Sequence, residues 1–216
     1  MTTQAALSQM ITQQVRTSDV HDERTLAALA SVPRELFVPR EWHALDYAET
    51  ALPIGHGKHM LTTLLVGRIL QALRVRPGEQ ALEVGTGSGY LSACLASLGA
   101  SVQSLEIHAE LAARARANLK SAGCEAVEVT CGDGMGLTTE TAYDIIVLTG
   151  SLPVYQPCFE RALKYGGRLF VVVGTGAVMS ARRVTRTGQA EFRTDNLFET
   201  ALEPLENAPA AADFRF

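Results

Sequence analysis

The stretch LEVGTGSGY, residues 82–90, places glycines at 85, 87 and 89 directly after an apolar run. Glycine loses more backbone entropy on folding than any other residue, so three in five positions mark a turn that needs a bare main chain. Such a turn, at the end of a strand and the start of a helix, lets backbone approach a ligand closely. It constrains the chain to alternating α/β architecture if the flanking segments agree.

They do agree. QALEVG reads as a short strand entering the loop and YLSACLASLG as a helix closed by Gly99. SVQSLEI, AVEVTCG, YDIIVLTG and GRLFVVVG continue as strands. HAELAARARANLKSAG and PVYQPCFERALKYGG supply helices, stopped at Gly123 and at the Gly166–Gly167 pair. Strand–helix alternation of this kind predicts a mostly parallel sheet with helices on both faces.

Upstream, Leu7, Met10, Ile11 and Val15 recur at helical steps. A second helix is expected from about Asp22 to before Pro33, and a third from about Thr62, with Leu65, Ile69 and Leu73 on one face. SARRVTRTG and AEFRTDNLFETALEPL predict two more strands around a turn at Thr187–Gly188, and ENAPAAADF a loose tail. We expect one domain over 1–216: an N-terminal helical and acceptor-side segment (1–75), a Rossmann-like core (76–205) and a tail (206–216).

The chain has 216 residues and a net charge of -4, which gives no electrostatic support for extended nucleic-acid binding. No apolar run approaches the roughly 20 residues of a membrane span. The N-terminus is amphipathic, without the basic start and apolar block of a signal peptide. Cys94, Cys124, Cys131 and Cys158 lack any zinc-like or CxxC spacing and read as reduced, mostly buried thiols. These features point to a cytoplasmic protein with neither nucleic acid nor membrane as partner.

The ligand class follows from four details. Tyr90 stands where a dinucleotide loop wants its third small residue, and it would obstruct the approach of a pyrophosphate. Glu106, about 20 residues on at a strand end, can accept from both ribose hydroxyls and selects against a 2′-phosphate. Glu83, just before the loop, favours an ammonium or sulfonium. Asp133 in CGDG is placed for an adenine amino group, or else for a turn. Together they describe a sulfonium nucleoside, S-adenosylmethionine.

Seven stretches in order, VPRELFVP, ALPIGHG, LEVGTGSGY, SLEI, GDG, YDIIVLTG and GGRLFVVVG, make the chain resemble the protein-L-isoaspartate O-methyltransferase family of class I S-adenosylmethionine-dependent methyltransferases. The resemblance implies a twisted seven-stranded sheet with the cofactor across the carboxyl ends of its first strands. It also implies esterification of the α-carboxylate of isoaspartyl residues, which begins repair of aged proteins. The cofactor role carries over onto Gly85, Thr86, Gly87, Ser88, Glu106 and Asp133. The full candidate set adds Glu83, Gly89, Tyr90, Ile107, Gly132, Gly134 and Thr149.

After PIGHG the chain departs from the family. His59, Met60, Leu61, Thr62 and Thr63 stand where a segment of the type Thr-Ile-Ser-Gln-Pro is usual, so Leu61 occupies the position of the active-site serine. Leucine offers neither donor nor acceptor. Thr62 can supply a hydroxyl or cap the helix. His56, inside LPIGHG, is expected to shape the acceptor side; Thr62 and His56 are the catalytic candidates. His56 and His59 could face one another, but no nearby carboxylate or cysteine completes a metal site, and none is proposed. Arg182, Arg183 and Arg186 read as a solvated basic strand edge.

A carboxylate acceptor is already ionised at neutral pH and needs no general base. The absence of a Ser-His-Asp or Cys-His arrangement therefore suits carboxyl methylation of an isoaspartyl protein or peptide. A small-molecule acceptor, or binding of the cofactor without transfer, stays open at this point. A nicotinamide dehydrogenase is disfavoured by Tyr90.

Overall fold

The computed structural model describes residues 3–210. Its helices are α1 (Thr3–Met10), α2 (Glu23–Ser31), α3 (Thr63–Leu73), α4 (Tyr90–Ser97), α5 (Ala109–Ser121) and α6 (Pro157–Arg161). Strands β1 (Leu52–Gly55) and β2 (Lys58–Met60) form a separate hairpin. The main sheet contains β3 (Gln80–Val84), β4 (Ser101–Glu106), β5 (Glu128–Cys131), β6 (Tyr143–Leu152), β7 (Leu163–Val173), β8 (Met179–Arg186) and β9 (Phe192–Thr200). Their spatial order is β5-β4-β3-β6-β7-β8-β9. The pairings from β5 through β7 are parallel; those of β7 with β8 and β8 with β9 are antiparallel.

The chain runs outward from β3 to β5, then returns to lay β6 against the other side of β3. Right-handed crossovers consequently put α4 and α5 on one face and α6 on the other. Burial follows this geometry. Ile145 and Val147 join the cluster of α2 to α5, whereas Ile146 and Leu148 join Phe159 and Leu163 on the opposite face. The strand order reverses at β3, and a crevice opens there beyond the carboxyl ends.

Local caps explain the helix starts. Asp22 Oδ2 accepts from Thr25 N at 2.9 Å ahead of α2, and Thr62 Oγ1 from Leu65 N at 3.3 Å ahead of α3.

Four expectations need correction. The α6 helix stops at Arg161, short of the glycine pair, because the carbonyls of Arg161 and Ala162 accept from Thr141, Ala142 and Tyr143 instead of continuing the helix. Gly166 and Gly167 lie in an irregular excursion of β7, where Tyr143 pairs with Leu163 and Ile145 already with Arg168. The arginine strand is no edge, since β8 lies between β7 and β9. Arg183 bonds Asp195 at 2.8 Å and the Ala72 carbonyl, Arg186 the Leu163 carbonyl at 2.6 Å, and Arg182 the Ser180 hydroxyl. Of the cysteines, only Cys94 is buried; its thiol is pushed up to about 12 by that burial.

The expected tail is the fourth. Residues 211–216 lie outside the described part, but Glu206 and Asn207 at the start of the expected tail are held by Lys58 at 2.8 Å and Asp133 at 2.9 Å, and the preceding 203–205 are docked on β6. Ser151 N donates to the Glu203 carbonyl at 2.8 Å and Leu205 N to the Ser151 carbonyl at 3.0 Å. Gly150 permits this, because a Cβ there would meet Leu205 Cδ2 at 2.9 Å and the Glu203 carbonyl at 3.0 Å. Gly150→Ala is accordingly expected to lift 203–205 off the sheet. Amide exchange at Leu205 should quicken about tenfold or more while β3 and β7 keep their protection. Uniform loss across the sheet would contradict this account.

Candidate functional site

A cavity of 560 Å³ sits at the switch point, within the usual size of small-molecule sites. It collects every predicted cofactor residue except Gly89: Glu83, Gly85, Thr86, Gly87, Ser88, Tyr90, Glu106, Ile107, Gly132, Asp133, Gly134 and Thr149. Gly89 lies behind the loop, where a Cβ would meet Leu119 Cγ at 3.2 Å; its bareness serves the packing of α5 against the loop. Gly85 has φ +93°, and a Cβ there would overlap the Thr149 hydroxyl, which donates to the Gly85 carbonyl at 2.6 Å.

The loop is clasped from β4. Gly87 N donates to Glu106 Oε2 at 2.8 Å, and His108 N to Glu106 Oε1 at 3.1 Å. Each carboxylate oxygen can accept more than one hydrogen bond, so both retain capacity toward the cavity. Asp133 Oδ1 accepts from Met135 N at 2.8 Å, and Oδ2 from Asn207 Nδ2 at 2.9 Å, so it is at once a turn former and a cavity wall.

Glu83 is fully buried. Its Oε2 accepts from Ser92 and, at 2.6 Å, from Ser104, while Oε1 has no protein partner. Burial lifts its carboxyl to about 7, despite the two serine hydrogen bonds that favour the charged form. Tyr90 is also buried. Its ring packs on Phe37, and the Arg34 guanidinium lies 5.0 Å from the ring centroid. Arg34 in turn donates to the carbonyls of Asp46, at 2.9 Å, and Leu61, at 3.4 Å, tying the acceptor loop to the start of α4.

On the acceptor side the hairpin brings Lys58, His59, Met60, Leu61 and Thr62 to the cavity. His56 is not among the lining residues, contrary to expectation. In the hairpin turn at φ +54° it stacks on His108, ring centroids 4.3 Å apart, and meets Glu110 at 3.0 Å. Nor do His56 and His59 face one another, for His59 meets Glu203 at 2.6 Å. Among the described residues no three His, Cys, Asp or Glu side chains are grouped to hold a metal, and no helix is long and apolar enough to cross a membrane.

Sequence reasoning missed the lining residues from the C-terminal segment, Glu203 to Glu206, with Glu206 bonded to Lys58 at 2.8 Å. Their one local signal is the pair of acids in LEPLEN, whose partners, His59 for Glu203 and Lys58 for Glu206, lie in the distant hairpin.

Strand order, switch-point crevice and glycine loop define the Rossmann-like architecture of class I methyltransferases. Comparison with known proteins narrows the class. The model of the protein-L-isoaspartate(D-aspartate) O-methyltransferase family matches residues 5–208. The protein-L-isoaspartate O-methyltransferase of Koribacter versatilis is 37% identical over 199 residues, 92% of this chain and 89% of that protein. Its counterpart in Methylorubrum populi is 37% identical over 211 residues, 97% and 99% of the two chains. A Plasmodium falciparum crystal structure, described as a protein-L-isoaspartate O-methyltransferase in complex with S-adenosyl-L-homocysteine, aligns with a TM-score of 0.80 at 19% identity, covering 93% of this chain and 98% of that one; this likeness concerns the fold. The chain belongs to the protein-L-isoaspartate(D-aspartate) O-methyltransferase family.

The lifted Glu83 carboxyl has a consequence for stability. A folded pKa of about 7 against an ordinary 4.5 means the native state holds the proton more tightly. That contribution is fully present below pH 4.5 and is lost as pH rises through 7. Glu83→Gln, neutral throughout, should therefore gain on the wild type by about 3 kcal/mol between pH 4.5 and 8. Urea unfolding of both proteins at pH 5 and 8 measures this, and parallel pH profiles would refute it.

Proposed function

We propose that the chain is an S-adenosylmethionine-dependent methyltransferase acting on the carboxylate of isoaspartyl residues in proteins and peptides. The observation that carries the reading is the convergence of the glycine loop, Glu83, Glu106 and Asp133 on one cavity, in a chain of this family.

The residues fit the cofactor on the structure's own terms. Glu83 Oε1 is a buried acceptor with no protein partner, the atom a sulfonium or ammonium ligand would compensate. Glu106 would take the ribose hydroxyls, and Asp133, with Gly132 and Gly134, the adenine. When bound, the cofactor supplies a methyl group already activated on a positive sulfur. What remains for the protein is to orient the acceptor and exclude water, an effect worth up to about 7–11 kcal/mol. Ile54, Met60, Leu61 and Leu65 give the acceptor end its dry wall. Thr62, the catalytic candidate with a hydroxyl, accepts the Leu65 amide in capping α3 and keeps its O–H as a donor, which suits positioning of an acceptor rather than base catalysis.

A small-molecule acceptor is the second reading, favoured by Leu61 in place of a hydroxyl-bearing side chain. One methyltransferase domain over 1–216 is part of the main reading, supported by a hydrophobic cluster that joins the N-terminal helices to the sheet. So is a cytoplasmic setting, which the four free thiols suit.

The test is tritiated methyl transfer to an isoaspartyl peptide, with calorimetry against S-adenosylmethionine and NAD. Binding of the former alone, with base-labile release of methanol from the product, is the expected outcome. Binding without transfer would move the assignment to the second reading or to a silent binder. No binding of S-adenosylmethionine would end the proposal.

A further inference from the structure

The docked C-terminal segment brings to the acceptor hairpin a carboxylate, Glu203, outside the candidate cofactor set. Glu203 Oε1 lies 2.6 Å from His59 Nδ1, and both residues line the cavity. The backbone of Glu203 is fixed by its carbonyl bond from Ser151 N, so the carboxylate is delivered to the ring by a built connection. An ionised carboxylate can only accept, so the proton of this bond sits on Nδ1. Nε2, the other ring nitrogen, makes no hydrogen bond within the described residues.

The neighbours of His59 are engaged in part, Thr62 and Lys58 each keeping a donor. Leu61 has no polar atom, Thr62 Oγ1 takes the Leu65 amide, and Lys58 is held by Glu206 at 2.8 Å. His108 Nε2, 3.8 Å from Glu206, is buried without a hydrogen-bond partner. Within the 58–62 run, His59 is the side chain aligned by a carboxylate on one ring nitrogen while the other makes no bond among the described residues.

Resting on the isoaspartyl reading above, we propose that His59 meets the acceptor's carboxylate, and that Glu203 is its positioning residue. With Nδ1–H given to Glu203, the ring meets a second carboxylate through Nε2 by taking up one proton from water as the acceptor binds. One imidazolium then stands between two anions in charge-assisted hydrogen bonds. The donor that position 61 cannot offer comes from position 59.

Three variants, His59→Gln, Glu203→Gln and Glu203→Asp, test this in the full-length protein. Calorimetry with S-adenosyl-L-homocysteine should give dissociation constants within about twofold of wild type for all three, since none touches the glycine loop. For the isoaspartyl peptide, KM should rise about tenfold or more in His59→Gln and Glu203→Gln with kcat changed less than about threefold, and Glu203→Asp should recover most of the loss. Independently of turnover, the ¹⁵N spectrum of the His59 ring should report Nδ1 protonated in the wild type and a mixture of tautomers in Glu203→Gln. An unchanged KM in His59→Gln overturns the acceptor contact, and an unchanged ring spectrum in Glu203→Gln overturns the positioning role. A wild type that transfers nothing to the peptide overturns the isoaspartyl reading and the acceptor contact with it, while the ring spectrum still decides the pairing.

Discussion

The clasp of Glu106 on the glycine loop is the constraint on which the site depends. Gly87 N and His108 N converge on its two oxygens, one from the loop after β3 and one from the start of α5. Gly85 N, from the same loop, donates to the Leu105 carbonyl at 2.8 Å. The loop is therefore held in its left-handed turns by the neighbouring strand, before any ligand is considered. Charge-assisted bonds to backbone amides are strong enough to make such preorganisation worthwhile. A residue positioned to receive a ribose thus also sets the shape of the cradle.

Behind the clasp lies a second polar layer. Glu83 is sandwiched between Ser92 of α4 and Ser104 of β4, and Thr86 lies 2.6 Å from the Ser104 hydroxyl. A buried carboxyl with one oxygen unpaired is costly, and its raised pKa is the form that cost takes. A fold optimised for stability alone would place an apolar residue here. Retaining an acid at the floor of the cavity is understandable as a provision for a cationic ligand, at the expense of the empty protein.

The legibility of this molecule in its sequence divides along physical lines. Core strands and the helices around them announce themselves by periodicity and by glycine punctuation, as in Gln80–Val84 and Ala109–Ser121. The loop and its acids were legible because spacing along one βαβ unit fixes them. What was hidden depends on contacts between distant segments. The end of α6 is decided by amides at 141–143 competing for its carbonyls, and the place of the arginine strand by β9 covering its outer side. His56 looked like a site residue from its motif. Three successive positive φ angles at Gly55, His56 and Gly57 instead turn the hairpin so that its ring rests on His108.

The C-terminal segment shows how such hidden contacts bear on chemistry. Glu203, Glu206 and Asn207 each meet a different part of the cavity wall: His59, Lys58 and Asp133. Solvent-exposed pairs of this kind contribute only about 0–1 kcal/mol each, so they are poor candidates for holding the fold together. Their value lies in geometry, since the segment is already fastened to Ser151 and needs little further energy to stay aligned. Carboxyl methylation needs no base, and Leu61 offers no hydroxyl; under that reading, selection among acceptors falls to whatever polar atoms line the mouth. In this chain those atoms come from two segments far apart in sequence, the hairpin at 52–60 and the segment at 203–207. Specificity for the acceptor can consequently change by substitutions in either segment while the cofactor cradle between Glu83 and Tyr90 stays as it is.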